Sequence, residues 1–142
     1  MTKEYSPEVP LASKKLMRND RYWFIDLLDN IDLSTTQYIM GKIPSAKFVL
    51  LEQNVTNLHI FRKIVFSIDN HVICEAINKI ERNYLIDKWI KENHKEPFGK
   101  FFQNKNLHRV LVSKSKDERK YLVIGIINAE IEERFYPLPK GK

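Results

Sequence analysis

The chain has 142 residues, one cysteine and a formal net charge of +6, with 43% hydrophobic and 30% charged residues. That length suits one domain with a real core, and the composition is that of a globular protein. No apolar run approaches the roughly 20 residues of a membrane-spanning helix, and no charged-then-apolar leader opens the sequence. Cys74 alone cannot build a disulfide framework, which leans toward the cytoplasm.

The positive balance and a pI near 9.4 favour an anionic partner. The basic residues are scattered, with only short clusters such as Lys14-Lys15 and Arg119-Lys120, and no aromatic-basic pattern accompanies them. Charge alone does not choose between nucleic acid and a small di-acid metabolite, and a nucleic-acid-binding module, resting on charge alone, is the less expected reading. His59, His71, His94 and His108 show no paired metal-ligand spacing, so a metal site is not expected.

In chain order, residues 1–18 carry two prolines and no clear period, and read as a loose arm ahead of a domain over 19–139. Asn19 or Asp20 can cap a helix with Trp23, Phe24, Leu27, Leu28 and Ile31 as its apolar stripe. Ser34 with Gln37 three residues later is a capping-box pattern, and Gly41 is placed to stop that short helix. Residues 46–53 read as a strand.

Residues 59–80 then read as a β-hairpin turning at Asp69-Asn70-His71. Alternation puts Ile60, Arg62, Ile64, Phe66 and Ile68 on one face of its first arm. A guanidinium within an apolar row is costly unless a partner or anion meets it. The alternative is an edge arginine reaching past its neighbours to water.

Leu85, Ile86, Trp89 and Ile90 mark an amphipathic helix over about 83–93, and Pro97-Phe98-Gly99 a tight turn before a helical turn. Residues 106–115 form a strand with Leu107, Arg109 and Leu111 on one face. Residues 116–120 make a charged turn, and 121–127 and 130–136 are the last two strands. In the last, Glu133 shares an apolar row with Ile131 and Phe135, which makes it the natural counterpart of Arg62. No internal sequence repeat is seen. The expected fold is a single α+β domain: an antiparallel sheet of about six strands with helices packed on one face.

These pieces, in their order, resemble the chorismate lyase (4-hydroxybenzoate synthase) family and its small plastid and archaeal relatives. The resemblance covers most of residues 25–138. It rests on Asp32, Ser34 and Thr36, on Arg62-Lys63-Ile64-Val65-Phe66, and on Pro97-Phe98-Gly99. Arg109 and Glu133-Arg134-Phe135-Tyr136-Pro137 complete it. It implies that Arg62 and Glu133 are catalytic and face a closed pocket for the aromatic product. Thr35 and Phe98 would help hold the product's carboxylate, and Arg109 is a further candidate for substrate binding.

The implied activity is elimination of pyruvate from chorismate to give 4-hydroxybenzoate, without cofactor or metal, in the cytoplasm or a plastid stroma. One departure stands out: Ile77, after Ala76, occupies the place of a second family arginine, with Lys79 or Arg109 as displaced cations. The fold is also similar to the ligand-sensing domain of a family of bacterial transcription regulators. That similarity keeps open a non-catalytic domain binding a small aromatic or carboxylic acid. No helix-turn-helix domain is read ahead of it, so a complete regulator is not expected.

Overall fold

A computed structural model describes residues 21–93, 95–102 and 107–139, the side chain of Phe102 excepted. The expected loose arm and the Asn19 or Asp20 cap lie outside the described residues. Six strands form one antiparallel sheet in the order β1-β2-β3-β6-β5-β4. They are β1 Lys47–Val55, β2 His59–Ile68, β3 His71–Glu81, β4 His108–Lys114, β5 Glu118–Ile124 and β6 Ala129–Phe135. Helices α1 (Ile25–Asp29) and α2 (Thr35–Lys42) precede the first three strands. Helix α3 (Tyr84–Glu92) and a 3-10 helix (Phe98–Phe102) precede the last three.

Local chemistry explains several element ends. The Ser34 hydroxyl accepts from the Gln37 N–H at 3.2 Å, the expected cap of α2. Helix α3 is capped in the same way, Asn83 Oδ1 accepting from the Ile86 N–H at 3.0 Å. The hairpin turn is tighter than expected: Asp69 and Asn70, at φ 49° and 66°, close it alone, and His71 already belongs to β3. Positive φ at both central residues is what a two-residue hairpin of matching twist requires, and Asp and Asn tolerate it. Gly41 does not stop α2, which runs on to Lys42 and ends at Ile43. The first helix is also shorter than its stripe suggests: Trp23 and Phe24 lie before it, and Ile31 follows it.

One face of the sheet is buried and carries the described helices. Leu27, Ile39 and Ile43 pack on Ile64, Phe66, Ala76 and Phe135. Ile86, Ile90, Phe98 and Phe101 pack on Ile60, Ile80, Tyr121 and Ile131. Ile60, Ile64 and Phe66 share one parity of β2, so both helical blocks cover the same side. On the other side, ion pairs such as Arg134 with Glu118 and Lys120 with Glu132 face water.

The topology repeats although the sequence does not. Each half is a helical block followed by a three-stranded meander, and the two meanders meet where β3 pairs with β6. Ile77 faces Glu132 at the middle of that ladder. Ile77 pairs with Lys63 on β2, and Glu132 with Lys120 on β5. A half-turn about the Ile77–Glu132 midpoint therefore exchanges Arg62 with Arg119 and Asn78 with Glu133. The inward arginine of each half comes from an equivalent place.

Two glycines on the helical side make a paired test. A Cβ on Gly99 would stand 2.6 Å from Thr36 Cβ and closer still to its Oγ1, whereas Gly41 has nothing within 4 Å. We expect Gly99→Ala to cost about 1–3 kcal/mol by overpacking. Gly41→Ala should instead stabilise α2 by roughly 0.5–1 kcal/mol. Urea denaturation midpoints moving in the same direction for both would refute this packing account.

Candidate functional site

Glu133 sits on the buried face of β6, 6% exposed, and its counterpart is Arg119 rather than Arg62. Residue 119 was expected in a charged turn, but β5 begins at Glu118, three residues earlier than the expected strand. Arg119, like Tyr121 and Val123, then points inward, and it is 2% exposed. Arg119 and Glu133 are direct cross-strand partners. The Arg119 Nε donates to Glu133 Oε1 at 2.7 Å.

Each remaining polar group of the pair is used. Arg119 Nη1 donates to the Leu27 carbonyl at 2.7 Å. Its Nη2 donates to the Leu33 carbonyl and the Thr35 hydroxyl, both at 2.9 Å. The Thr35 hydroxyl in turn donates to Glu133 Oε1 at 2.8 Å. The Tyr121 hydroxyl donates to Glu133 Oε2 at 3.2 Å. One guanidinium thus ties the C-terminal end of α1, the turn after it and the start of α2 to the floor of the sheet. Burial, with the Glu133 charge beside it, pushes the Tyr121 phenol well above its ordinary pKa. Burial likewise raises the Cys74 thiol, and the Glu133 charge adds to that.

A cavity of about 30 Å³ lies above this cluster. Thr35, Phe98, Arg109 and Glu133 all line it, with Asn78, Tyr121 and Ile131 on the sheet side and Pro97 and Gly99 above. Arg109 on β4 is half-buried and its Nη1 donates to the Asp32 carbonyl at 3.2 Å. Leu111, expected beside it, is 42% exposed, because β4 is the open edge of the sheet.

Arg62 is 1% exposed on the same face but one cross-strand row away, paired with Asn78. It does not reach water past its neighbours. Its Nη2 donates to the Glu96 carbonyl at 2.9 Å, and its guanidinium lies 5.9 Å from the Trp89 ring centre. Burial lowers its pKa to about 10, so it stays charged at neutral pH.

Ile77 faces the outer side of the sheet and is 46% exposed. Its identity therefore takes nothing from the cavity, and the inward positions flanking it are Ala76 and Asn78. Lys79, of the same outward parity, lies over the Phe61 ring. Of the two displaced cations considered, only Arg109 lines the cavity. Arg119 and Asn78 are the polar residues that sequence reasoning missed. Counting back in twos from Tyr121 would have found Arg119. No helix among the described residues is long and apolar enough to cross a membrane.

No protein-family model matches the chain, and no curated protein matches it.

The ion pair gives two measurable expectations. Removing one partner of a buried pair leaves an uncompensated charge, so Arg119→Met should cost about 3–5 kcal/mol. The double variant Arg119→Met with Glu133→Leu should recover much of that loss, since apolar replacement of both partners is often neutral. Purely additive losses in chemical denaturation would show that the two side chains do not act as a pair.

The second expectation concerns Tyr121, whose ordinary pKa is 10.0 and is raised in the folded chain. Above pH 10 the unfolded phenol ionises while the folded one keeps its proton, so folding loses up to ~1.4 kcal/mol per pH unit. Tyr121→Phe removes that loss. It should be less stable than the parent at pH 8, for want of a hydrogen bond worth about 1 kcal/mol, and the gap should close between pH 10 and 11. A gap that stays constant across that window would mean the phenol titrates normally.

Proposed function

We propose that the protein binds a small aromatic or carboxylic acid beneath the Pro97–Gly99 turn and acts on chorismate as a cofactor-free lyase. The observation that carries the reading is the convergence of Thr35, Phe98, Arg109 and Glu133 on one cavity. Arg62 stands on the neighbouring row of the same face. Two buried arginines against one buried glutamate, among the described residues, make this core a favourable place for an anion.

The reaction balances without an outside reagent. The ring–ether C–O bond of chorismate breaks, a ring proton leaves, and the departing enolpyruvyl group takes up a proton to become pyruvate. Aromatisation of the ring supplies driving force, so the protein chiefly has to desolvate and position the dianion. Arginine forks suit the carboxylates, because each offers parallel donors in a fixed plane. Arg109 and Arg62 take that role. Glu133, oriented by Arg119 and Thr35, is the carboxylate within reach of a proton on the bound ring.

The cavity is too small for a ring as it stands, since an engineered cavity of about 150 Å³ is what takes benzene. The floor is held by β-ladders on both sides of β3, β6 and β5 and the start of α2 is tied to it through Thr35, so the wall left to yield is the Pro97–Gly99 turn.

A second reading has its own support. Glu133 is already engaged by Arg119, Thr35 and Tyr121, which commits much of the carboxylate to the fold. That favours acid binding without turnover. Incubating the purified protein with chorismate and following 4-hydroxybenzoate separates the two. Product above the spontaneous rate supports the lyase; measurable 4-hydroxybenzoate binding with no such product selects the binding domain; neither result leaves both readings without support.

Arg62→Met supplies the companion measurement. The methionine keeps much of the apolar stem and removes the charge, so the melting temperature should stay near the parent's. Affinity for 4-hydroxybenzoate should fall about ten- to a hundredfold, the value of one charge-assisted contact at roughly 1.5–3 kcal/mol. Unchanged affinity in a folded variant would remove Arg62 from the site.

A further inference from the structure

Among the described residues, Asn78 is a buried polar side chain that takes no part in the networks above. It lies in the middle of β3, 4% exposed, between Arg62 on β2 and Ile131 on β6. An asparagine amide has two donors and an acceptor with two lone pairs, and burying them without partners costs stability. Yet its side chain makes no hydrogen bond to any described residue, and it lines the cavity together with Glu133 and Phe98. Strand interiors also disfavour asparagine on propensity alone. Neither local preference nor packing accounts for it.

The internal two-fold sharpens the contrast. Asn78 and Glu133 occupy equivalent inward places, each cross-strand from an inward arginine. Glu133 is held by three side chains of its own protein. Asn78, at the equivalent place, turns its amide to the cavity. A polar group held in a core at a cost to stability, and pointed into a cavity, is the pattern expected where function overrides folding preference.

We propose that Asn78 is the residue of this cavity that recognises a neutral hydroxyl on the ligand. The ligand class is then a small acid with a hydroxyl remote from its carboxylate, the carboxylate meeting an arginine and the hydroxyl meeting the Asn78 amide. An amide can accept from a hydroxyl and donate to it, whereas it cannot neutralise a second carboxylate. A site built to hydrogen-bond a hydroxyl discriminates strongly against the analogue that lacks it. This rests on the acid-binding reading above but not on turnover. A buried water is the competing occupant, since a cavity of about 30 Å³ holds one or two.

The test is a four-way comparison by calorimetry: parent and Asn78→Val, each titrated with 4-hydroxybenzoate and with benzoate. The parent should prefer the hydroxy acid by tenfold or more, and Asn78→Val should bind both acids alike. Its melting temperature should equal or exceed the parent's, because valine suits a strand and adds apolar packing at a largely buried place. Asn78→Ser, which restores a small hydrogen-bonding group, should regain part of the preference, and it serves should valine disturb the fold. A hydroxyl preference unchanged in a folded variant overturns the proposal and leaves the acid-binding reading intact. So does a fall in melting temperature with unchanged affinities, the result expected if the amide only holds a structural water. A parent that binds neither acid overturns both.

Discussion

The Arg119–Glu133 pair is the constraint on which the arrangement of this domain depends. Helix α1 is five residues long, and helices so short are not stable on their own propensity. Its C-terminal end and the turn leading into α2 are fixed because Arg119 donates to the carbonyls of Leu27, Asn30 and Leu33. Leu27 offers one of the orphaned acceptors that a helix end leaves behind, while Asn30 and Leu33 belong to the turn that follows. The guanidinium can do this from inside the core only because Glu133 neutralises it at 2.7 Å. A buried pair of this kind is weak as a source of stability compared with apolar packing. Its role here is geometric. It sets the height of Thr35 and the start of α2 above the sheet, and hence the cavity between them.

The two halves of the sheet use the same framework in different ways. In the second half, the inward arginine faces a carboxylate and the network closes on itself with Thr35 and Tyr121. In the first half, the equivalent arginine faces the amide of Asn78, and its Nη2 is received by the carbonyl of Glu96 just ahead of the Pro97–Gly99 turn. The first network is anchored to α1 and α2, the second to the segment after α3. Phe98 and Phe101 cover the latter, stacked at 5.9 Å with Trp89 edge-on to both. The cavity lies over Asn78 and Glu133, the cross-strand partners of the two arginines, while Arg62 and Arg119 themselves stay outside its lining.

What the sequence made legible was periodic. The first hairpin arm alternates cleanly enough to put Arg62 inside, and the same argument puts Glu133 inside. The Ser34 cap followed from a three-residue spacing. What was hidden lay where two signals competed. Lys116 to Lys120 reads as a charged turn, and turn chemistry outweighed the alternation that continues backward from Val123 through Tyr121 to Arg119. With Arg119 assigned to a turn, Glu133 was left to be matched with the other inward arginine. The face of Ile77 was not legible for a related reason: a resemblance gives a position along the chain but not the face it occupies. The register shift between Phe66 and Ser67 alters the count around the hairpin. A one-residue slip exchanges the two faces of a strand.

The inward polar groups fall into two kinds, and the distinction bears on where function resides. Arg119, Glu133, Thr35 and Tyr121 satisfy one another and the ends of short helices, and their presence is explained by the fold. Asn78 is not explained in this way. Apolar substitution in the first set should damage folding, because each loss strands a buried partner. Apolar substitution at Asn78 strands nothing. A core that keeps such a residue forgoes stability that a valine would supply, and selection for folding alone gives no reason to keep it. The inward polar residue that folding does not account for is therefore Asn78 rather than the ion pair beside it. The acid whose binding this chemistry suits would lie over Asn78, with Glu133 as its fixed neighbour.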